Sequence, residues 1–151
     1  METDATATTV RQGRSGDYPA VRTLLEASGL PLEGLDPALG SALVAHSGGR
    51  LVGCVALESF GEAALLRSLA VAPEARGQGL GERLTADILA LAAGAGVRDV
   101  YLLTETAADY FPRFGFSPRD RASAPPALQA SAEFRTACPA SARMLHARLE
   151  A

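Results

Sequence analysis

A six-residue stretch, Arg76-Gly77-Gln78-Gly79-Leu80-Gly81, joins an apolar run to an amphipathic stripe and limits the possible folds more than any other feature. The run before it, Ala63 to Val71, reads as a strand stopped by Pro73, which has no backbone N–H to offer a neighbour. After it, Leu80, Leu84, Ile88, Leu91 and Ala95 recur at helical spacing, and Gly94 and Gly96 close the stripe. Strand, glycine turn and helix therefore follow one another. Glycines at such a turn let the backbone bend sharply and approach a ligand closely. The first amides of the helix have no intrahelical acceptor and lie at the positive end of its dipole, a place suited to a phosphate or pyrophosphate. Arg76 and Arg83 add positive charge nearby. The Gly-x-Gly-x-Gly spacing misses the dinucleotide fingerprint by one residue, and without a lysine it is no Walker loop. Taken alone, the glycines are equally well read as a glycine-rich helix start.

The rest of the chain alternates strands and helices. A disordered tail, Met1 to Thr8, precedes a short strand from Thr9 to Gln12. Asp17 reads as the cap of a helix with Tyr18, Val21, Leu25 and Ser28 on one face, ending at Gly29. Leu30 to Gly40 is a loop with one helical turn at most. Ala42 to His46 and Arg50 to Phe60 form a hairpin through Ser47-Gly48-Gly49. Asp99 to Thr104 is a strand, Ala107 to Phe114 a short helix stopped by Gly115, and Phe116 to Arg119 a strand. A Pro- and Ala-rich excursion leads to a last strand, Ala142 to Leu149. This order predicts a single α/β domain over residues 9–151, with a mixed sheet of seven strands and helices on both faces.

Composition narrows the partners. A chain of 151 residues with 48% hydrophobic and 21% charged residues buries an ordinary core without metal or disulfide staples. A net charge of −3 favours neither nucleic acid nor an anionic membrane. Ile88 to Val97 is too short to span a bilayer, and the acidic start lacks the pattern of a secretory signal, so a cytoplasmic protein is expected. Cys54 and Cys138 then read as free thiols. Every formally cationic side chain is arginine, so lysine Schiff-base chemistry is excluded.

The stretch Leu69-Ala70-Val71-Ala72-Pro73-Glu74-Ala75-Arg76-Gly77-Gln78-Gly79-Leu80-Gly81 closely resembles the central motif of the GNAT superfamily of N-acetyltransferases. Phe114-Gly115-Phe116 resembles its later Gly-Phe, and Val10-Arg11 and Asp17 sit where its first strand and helix begin. A narrower similarity, carried by Gly29-Leu30-Pro31, Gly34-Leu35, Leu65 to Val71, Phe134 and Ala137-Cys138-Pro139 with Ser141-Ala142, is to the acetyltransferases associated with arsenic resistance. That group is related to the amino-acid N-acetyltransferases typified by N-acetylglutamate synthase.

The resemblance implies a mostly antiparallel sheet, acetyl-CoA as co-substrate and no metal. Leu69, Ala70 and Val71 would lie along the pantetheine arm, in a strand that bulges and splays from the next to form a slot. Arg76, Gly77, Gln78, Gly79, Leu80 and Gly81 would hold the pyrophosphate. The acceptor would be a small amine, an amino acid or an amino-acid-like and even arsenic-bearing compound, acetylated directly in a ternary complex. Nucleic acid and membrane are not expected partners, and a homodimer is left open. The alternative is a coenzyme-binding sensor that has lost turnover. It draws on Phe111, which stands where many members place the tyrosine that protonates the leaving thiolate. The neighbouring Tyr110 is the candidate acid, or else an aromatic covering the core, and a thiolate leaves well without help. Glu58 and Glu105 are the candidate bases, acting through a water. Arg67, in an apolar strand, calls for a partner, either Glu58 or Glu62 or an acidic group of the substrate, with Leu30 to Gly40 closing over the ligand. A covalent acetyl-Cys138 route is disfavoured, because the motif offers no adjacent base. His46 and His146 read as bystanders.

Overall fold

The computed structural model describes residues 8–137 and 141–149. The strands are β1 (Thr8–Gln12), β2 (Ala42–Ser47), β3 (Arg50–Phe60), β4 (Ala63–Val71), β5 (Asp99–Thr104), β6 (Ser117–Arg119) and β7 (Arg143–Arg148). The helices are α1 (Tyr18–Ala27), α2 (Leu80–Gly94) and α3 (Pro126–Gln129). The strands form one seven-stranded sheet in the order β1-β2-β3-β4-β5-β7-β6. The described pairings are antiparallel except β4 with β5. The mixed, mostly antiparallel α/β architecture expected from the sequence is the one observed. The tail assigned to Met1–Thr8 lies outside the described residues apart from Thr8, which already belongs to β1. Cys138 also lies outside them.

The chain divides into two compact units, Met1–Ala56 with Ser68–Ile88 and Leu57–Arg67 with Leu89–Ala151. In the first, β1, β2 and the start of β3 form an antiparallel meander. Its hairpin turns at Gly48 (φ 60°) and Gly49 (φ 79°), the paired positive angles of a type I′ turn that matches strand twist. Helix α1 buries Val21, Leu24 and Leu25. It closes in a Schellman motif, with Leu30 N–H donating to Leu25 O at 2.9 Å and Gly29 N–H to Glu26 O at 3.2 Å. No helical turn forms between Leu30 and Gly40; the segment is pinned by buried Leu35 and Leu39. A Cβ on Gly13 would stand 2.9 Å from that of Leu39, so this crossing admits only glycine without a shift.

In the second unit, β5 pairs with β7 from Asp99↔Arg148 to Thr104↔Arg143, and β6 pairs with the other edge of β7. The parallel register of β4 with β5 runs from Ala63↔Asp99 to Leu65↔Tyr101. Leu65, Tyr101, Ala124, Leu128 and Met144 pack as one apolar cluster. The Pro- and Ala-rich excursion contributes to it: a 3₁₀ turn (Arg121–Ser123) and α3 supply Ala124 and Leu128, and a π-helical turn (Glu133–Ala137) follows.

Local expectations need correction at three places. Asp17 makes no side-chain cap on α1. Its carboxylate instead accepts from the Arg14 N–H at 2.9 Å and both terminal nitrogens of Arg11 at 2.9 and 2.7 Å, closing a 3₁₀ turn before the helix. The buried stripe of α2 is Leu80, Leu84, Ile88 and Ala92, whereas Leu91 is 45% exposed. Steps of four keep the inward face there, and the step of three to Leu91 leaves it. Ala107 to Phe114 is a helix only at its end, a 3₁₀ turn over Phe111–Phe114. Pro112 offers no N–H and disfavours α geometry in the residue before it.

The Arg11 pair holds the Asp17 carboxyl at about 2, below its ordinary 3.8. A depressed carboxyl stabilises the fold above its unfolded value, and the contribution is lost as pH falls through the folded one. Asp17→Asn should therefore cost about 1–2 kcal/mol at neutral pH, allowing for the water that reaches Arg11. The gap to wild type should close as pH falls from 3.8 toward 2, read by urea unfolding.

Candidate active site

Beyond β4 the chain makes a 3₁₀ turn (Pro73–Ala75), anchored by Ala72 N–H donating to Val52 O at 2.8 Å. Gly77 and Gly79 both have φ 79°, and nothing lies within 4 Å of where a Cβ would be. These glycines are required by backbone conformation, and their outer side is open. The Arg83 N–H to Gly79 O bond, 3.0 Å, begins α2, so the amides of Leu80 and Gly81 precede its hydrogen-bond ladder. Leu80, 6% exposed, anchors this first turn in the core. Gln78 is exposed, and Arg76, also exposed, donates Nε to Val71 O at 3.1 Å. Arg83 is engaged elsewhere: Nη1 donates to Thr8 O at 3.2 Å and Nε lies 3.8 Å from Asp87. Of the two arginines expected to add charge at the turn, Arg76 is the one whose hydrogen bond ties it to the end of β4.

The strand feeding this turn carries a bulge signature. Ser68, a non-glycine residue, has φ 62° inside β4. Left-handed serine in a strand interior is costly and persists only where its surroundings fix it. Cys54 on β3 is one such support: its thiol, 2% exposed, donates to Ser68 O at 3.3 Å. Burial pushes this thiol up to about 12, opposed by a hydrogen bond from the Ala70 amide. Leu69 and Val71 are partly buried and Ala70 is buried.

The second unit holds the candidate acid, bases and Arg67. The Arg67 side chain is 1% exposed and pairs with Glu58 through Nη1–Oε1 at 3.4 Å and with Glu133 through Nε–Oε2 at 3.5 Å. Glu133 is 5% exposed and Glu58 28% exposed, so Glu58 is the member of the cluster that meets solvent. Glu62, the other partner considered, is exposed on the turn before β4, and Glu105 is exposed beyond β5. The Tyr110 hydroxyl is shielded from solvent, and its ring packs edge-on to Phe111 at 5.1 Å and beside Phe114 at 5.6 Å. Arg113 covers that ring at 4.6 Å. Phe111 itself is 6% exposed, a core residue. His146 is tied to Asp99 through Nε2···Oδ1 at 2.8 Å and stacks on Tyr101. Among the described residues no cluster of three or more His, Cys, Asp or Glu side chains could hold a metal, and no helix is long and apolar enough to cross a membrane.

The strand, glycine turn and helix lie within residues 38–118, which match the family model described as an acetyltransferase (GNAT) domain. The chain belongs to the GNAT acetyltransferase family. The amino-acid acetyltransferase of Neisseria meningitidis is 35% identical over 116 residues, 71% of this chain and 27% of that protein. N-acetylglutamate synthase from Neisseria gonorrhoeae, solved with coenzyme A and N-acetyl-glutamate, superposes with a TM-score of 0.81 at 27% identity. That match covers 96% of this chain and 36% of the synthase. This GNAT chain thus spans about a third or less of the length of these two relatives. Rv2747 from Mycobacterium tuberculosis, solved with CoA, shares the fold at a TM-score of 0.79 and 23% identity, covering 94% of this chain and 99% of its own.

Ser68, Cys54 and Glu133 were not among the residues expected to shape the site. For Glu133 the signal was the unpaired demand of Arg67: an arginine in an apolar strand calls for carboxylates from somewhere in the chain. Removing the cation should expose that demand. Arg67→Met would leave two carboxylates at their burial without the charge between them and should cost about 3–5 kcal/mol in urea unfolding. Adding Glu133→Gln to Arg67→Met should recover part of the loss.

Proposed function

We propose that residues 9–151 act as one N-acetyltransferase domain that moves an acetyl group from acetyl-CoA to the amine of an amino acid or an amino-acid-like compound. The observation that carries the coenzyme half is the turn at Gly77 and Gly79, left-handed, open on its outer side and delivering the chain into the first amides of α2. Donors at a helix N-terminus beside the Arg76 guanidinium suit a pyrophosphate. Leu69, Ala70 and Val71, following the left-handed Ser68, are assigned to the pantetheine arm. The acceptor half is supported by the amino-acid acetyltransferase and N-acetylglutamate synthase relatives. The local similarity to arsenic-resistance acetyltransferases adds arsenic-bearing amino acids to the acceptors worth testing.

In the proposed reaction the acceptor nitrogen attacks the thioester carbonyl carbon, a C–N bond forms, and the C–S bond breaks to release the thiolate. Before attack, an ammonium must lose a proton. We assign its uptake, through a water, to Glu58, which reaches solvent while Arg67 holds its carboxylate. This places Arg67 as an anchor for Glu58: two carboxylates of its own chain meet the cost of burying it, and no acidic group of an acceptor is needed to do so. Glu105 has the weaker claim, since it lies exposed beyond its strand. Tyr110 is assigned the proton given to the thiolate, because Phe111 has none to give, and the second proton that the nitrogen loses as the amide forms balances it.

Gly79→Glu should weaken coenzyme A binding at least about tenfold, or about 1.4 kcal/mol, by bringing bulk and negative charge to the turn. Gly79→Ala imposes the same strained backbone without the charge, so the difference between the two variants isolates the electrostatic part. Unchanged affinity in a folded Gly79→Glu protein would sink the coenzyme assignment.

Release of free thiol from acetyl-CoA over a panel of amino acids, simple amines and arsinic or phosphinic amino-acid analogues tests the acceptor. Turnover of amino acids is expected, and Glu58→Gln should cut it by about 10²–10⁴-fold. Tyr110→Phe should lose less, the thiolate being a good leaving group. Tight coenzyme binding with no acceptor turned over would instead favour a sensor.

A further inference from the structure

We propose that the dipeptide Gly53-Cys54 of β3 sets the geometry of the coenzyme site, with Cys54 as a positioning residue for the pantetheine strand and Gly53 as the seat of the pyrophosphate helix. The inference rests on the coenzyme assignment made above.

Two separate contacts carry it. Gly53 is buried, and a Cβ there would meet Leu80 Cδ2 and Leu84 Cδ1 at 3.1 Å each and Ala70 O at 3.4 Å. Leu80 is the first residue of α2 and Leu84 lies one turn on, so the opening turn of the helix rests directly on this glycine. No positive φ is recorded for Gly53, so the requirement is for space and not for backbone freedom. A side chain there would crowd the two leucine methyls through which the opening turn of the helix, with the amides of Leu80 and Gly81, is seated.

Cys54, the next residue, addresses the bulge. Its thiol donates to Ser68 O and its sulfur accepts from the Ala70 amide. One side chain therefore ties the two residues that flank Leu69, where the backbone passes from left-handed Ser68 back into extended strand. A bulge disrupts the ladder locally, and a buried polar backbone group without a substitute partner is expensive. A thiol is small enough to enter the gap and can both donate and accept, weakly. Valine has nearly the same shape and can do neither. Serine can do both.

Calorimetric titration with two probes tests the division. Coenzyme A carries a 3′-phosphorylated adenosine, the pyrophosphate and the arm, whereas ADP carries adenosine and the pyrophosphate without the arm. Cys54→Val should weaken coenzyme A about tenfold and leave ADP within about twofold, and Cys54→Ser should restore coenzyme A. Gly53→Ala should weaken both probes together. A role confined to stability would lower the melting temperature of Cys54→Val and leave the ratio of the two affinities unchanged. That result, or wild-type affinity for coenzyme A in Cys54→Val, would overturn the assignment of Cys54, and unchanged affinities in Gly53→Ala would overturn that of Gly53. Cys54→Ala, which leaves a small void in place of a branched side chain, serves if Cys54→Val does not fold. Should wild type bind neither probe, the coenzyme assignment itself falls, which the wild-type titration shows before any variant is read.

Discussion

Burying a guanidinium governs much of the second unit. Arg67 stands in the middle of an apolar strand with 1% of its side chain exposed, and an isolated charge at that depth would cost several kcal/mol. Its two carboxylate partners come from very different places. Glu58 arrives from the neighbouring β3, while Glu133 arrives from the π-helical turn of the excursion before β7. The excursion is thus held by charge as well as by the apolar packing of Ala124 and Leu128. Arg121 adds a third tie, donating to Ala142 O at 3.1 Å and to Phe134 O at 3.3 Å. The described part of this segment, interrupted by prolines that cannot continue a helix, acquires fixed structure through these long-range contacts.

One residue further along the same strand, the constraint changes kind. Ser68 is held left-handed, and the residues after it belong to the glycine turn and the start of α2. The first unit is organised around this segment: Val52 receives Ala72, Gly53 receives the helix, and Cys54 receives the bulge. Three consecutive residues of β3 thereby meet three successive parts of the chain that follows β4's midpoint. A turn open on its outer side can bind a large anion without rearranging only if its edges are fixed, and these contacts fix them.

How much of this was legible follows from the range of each signal. The strand, glycine turn and helix are set by neighbours in sequence, so β4 and α2 were read with nearly their observed limits. The Gly48-Gly49 hairpin was legible for the same reason. Ser68 was not, because serine carries no preference for positive φ and a support of its conformation, Cys54, comes from another strand. Glu133 was legible only as Arg67's demand for some carboxylate, because nothing local connects the two. Asp17 was read with the right residue type and the wrong bond: its carboxylate sits at a helix start, but Arg11 and the Arg14 amide claim it first. Pro112 is a local signal against the helix expected from Ala107, and only the 3₁₀ turn over Phe111–Phe114 forms.

The chemistry of the thiols bears on the route of transfer. A two-step path needs a nucleophile that exists as thiolate and can be reached by the thioester. Cys54 meets neither condition: it is 2% exposed, and burial pushes its thiol up to about 12, far above neutral pH. The hydrogen bond it donates to Ser68 further commits the proton to the backbone. The partners its sulfur meets are the Ser68 carbonyl and the Ala70 amide. A side chain so placed is suited to holding a strand and unsuited to carrying an acyl group. The direct transfer proposed above asks nothing of Cys54 beyond the position it already holds.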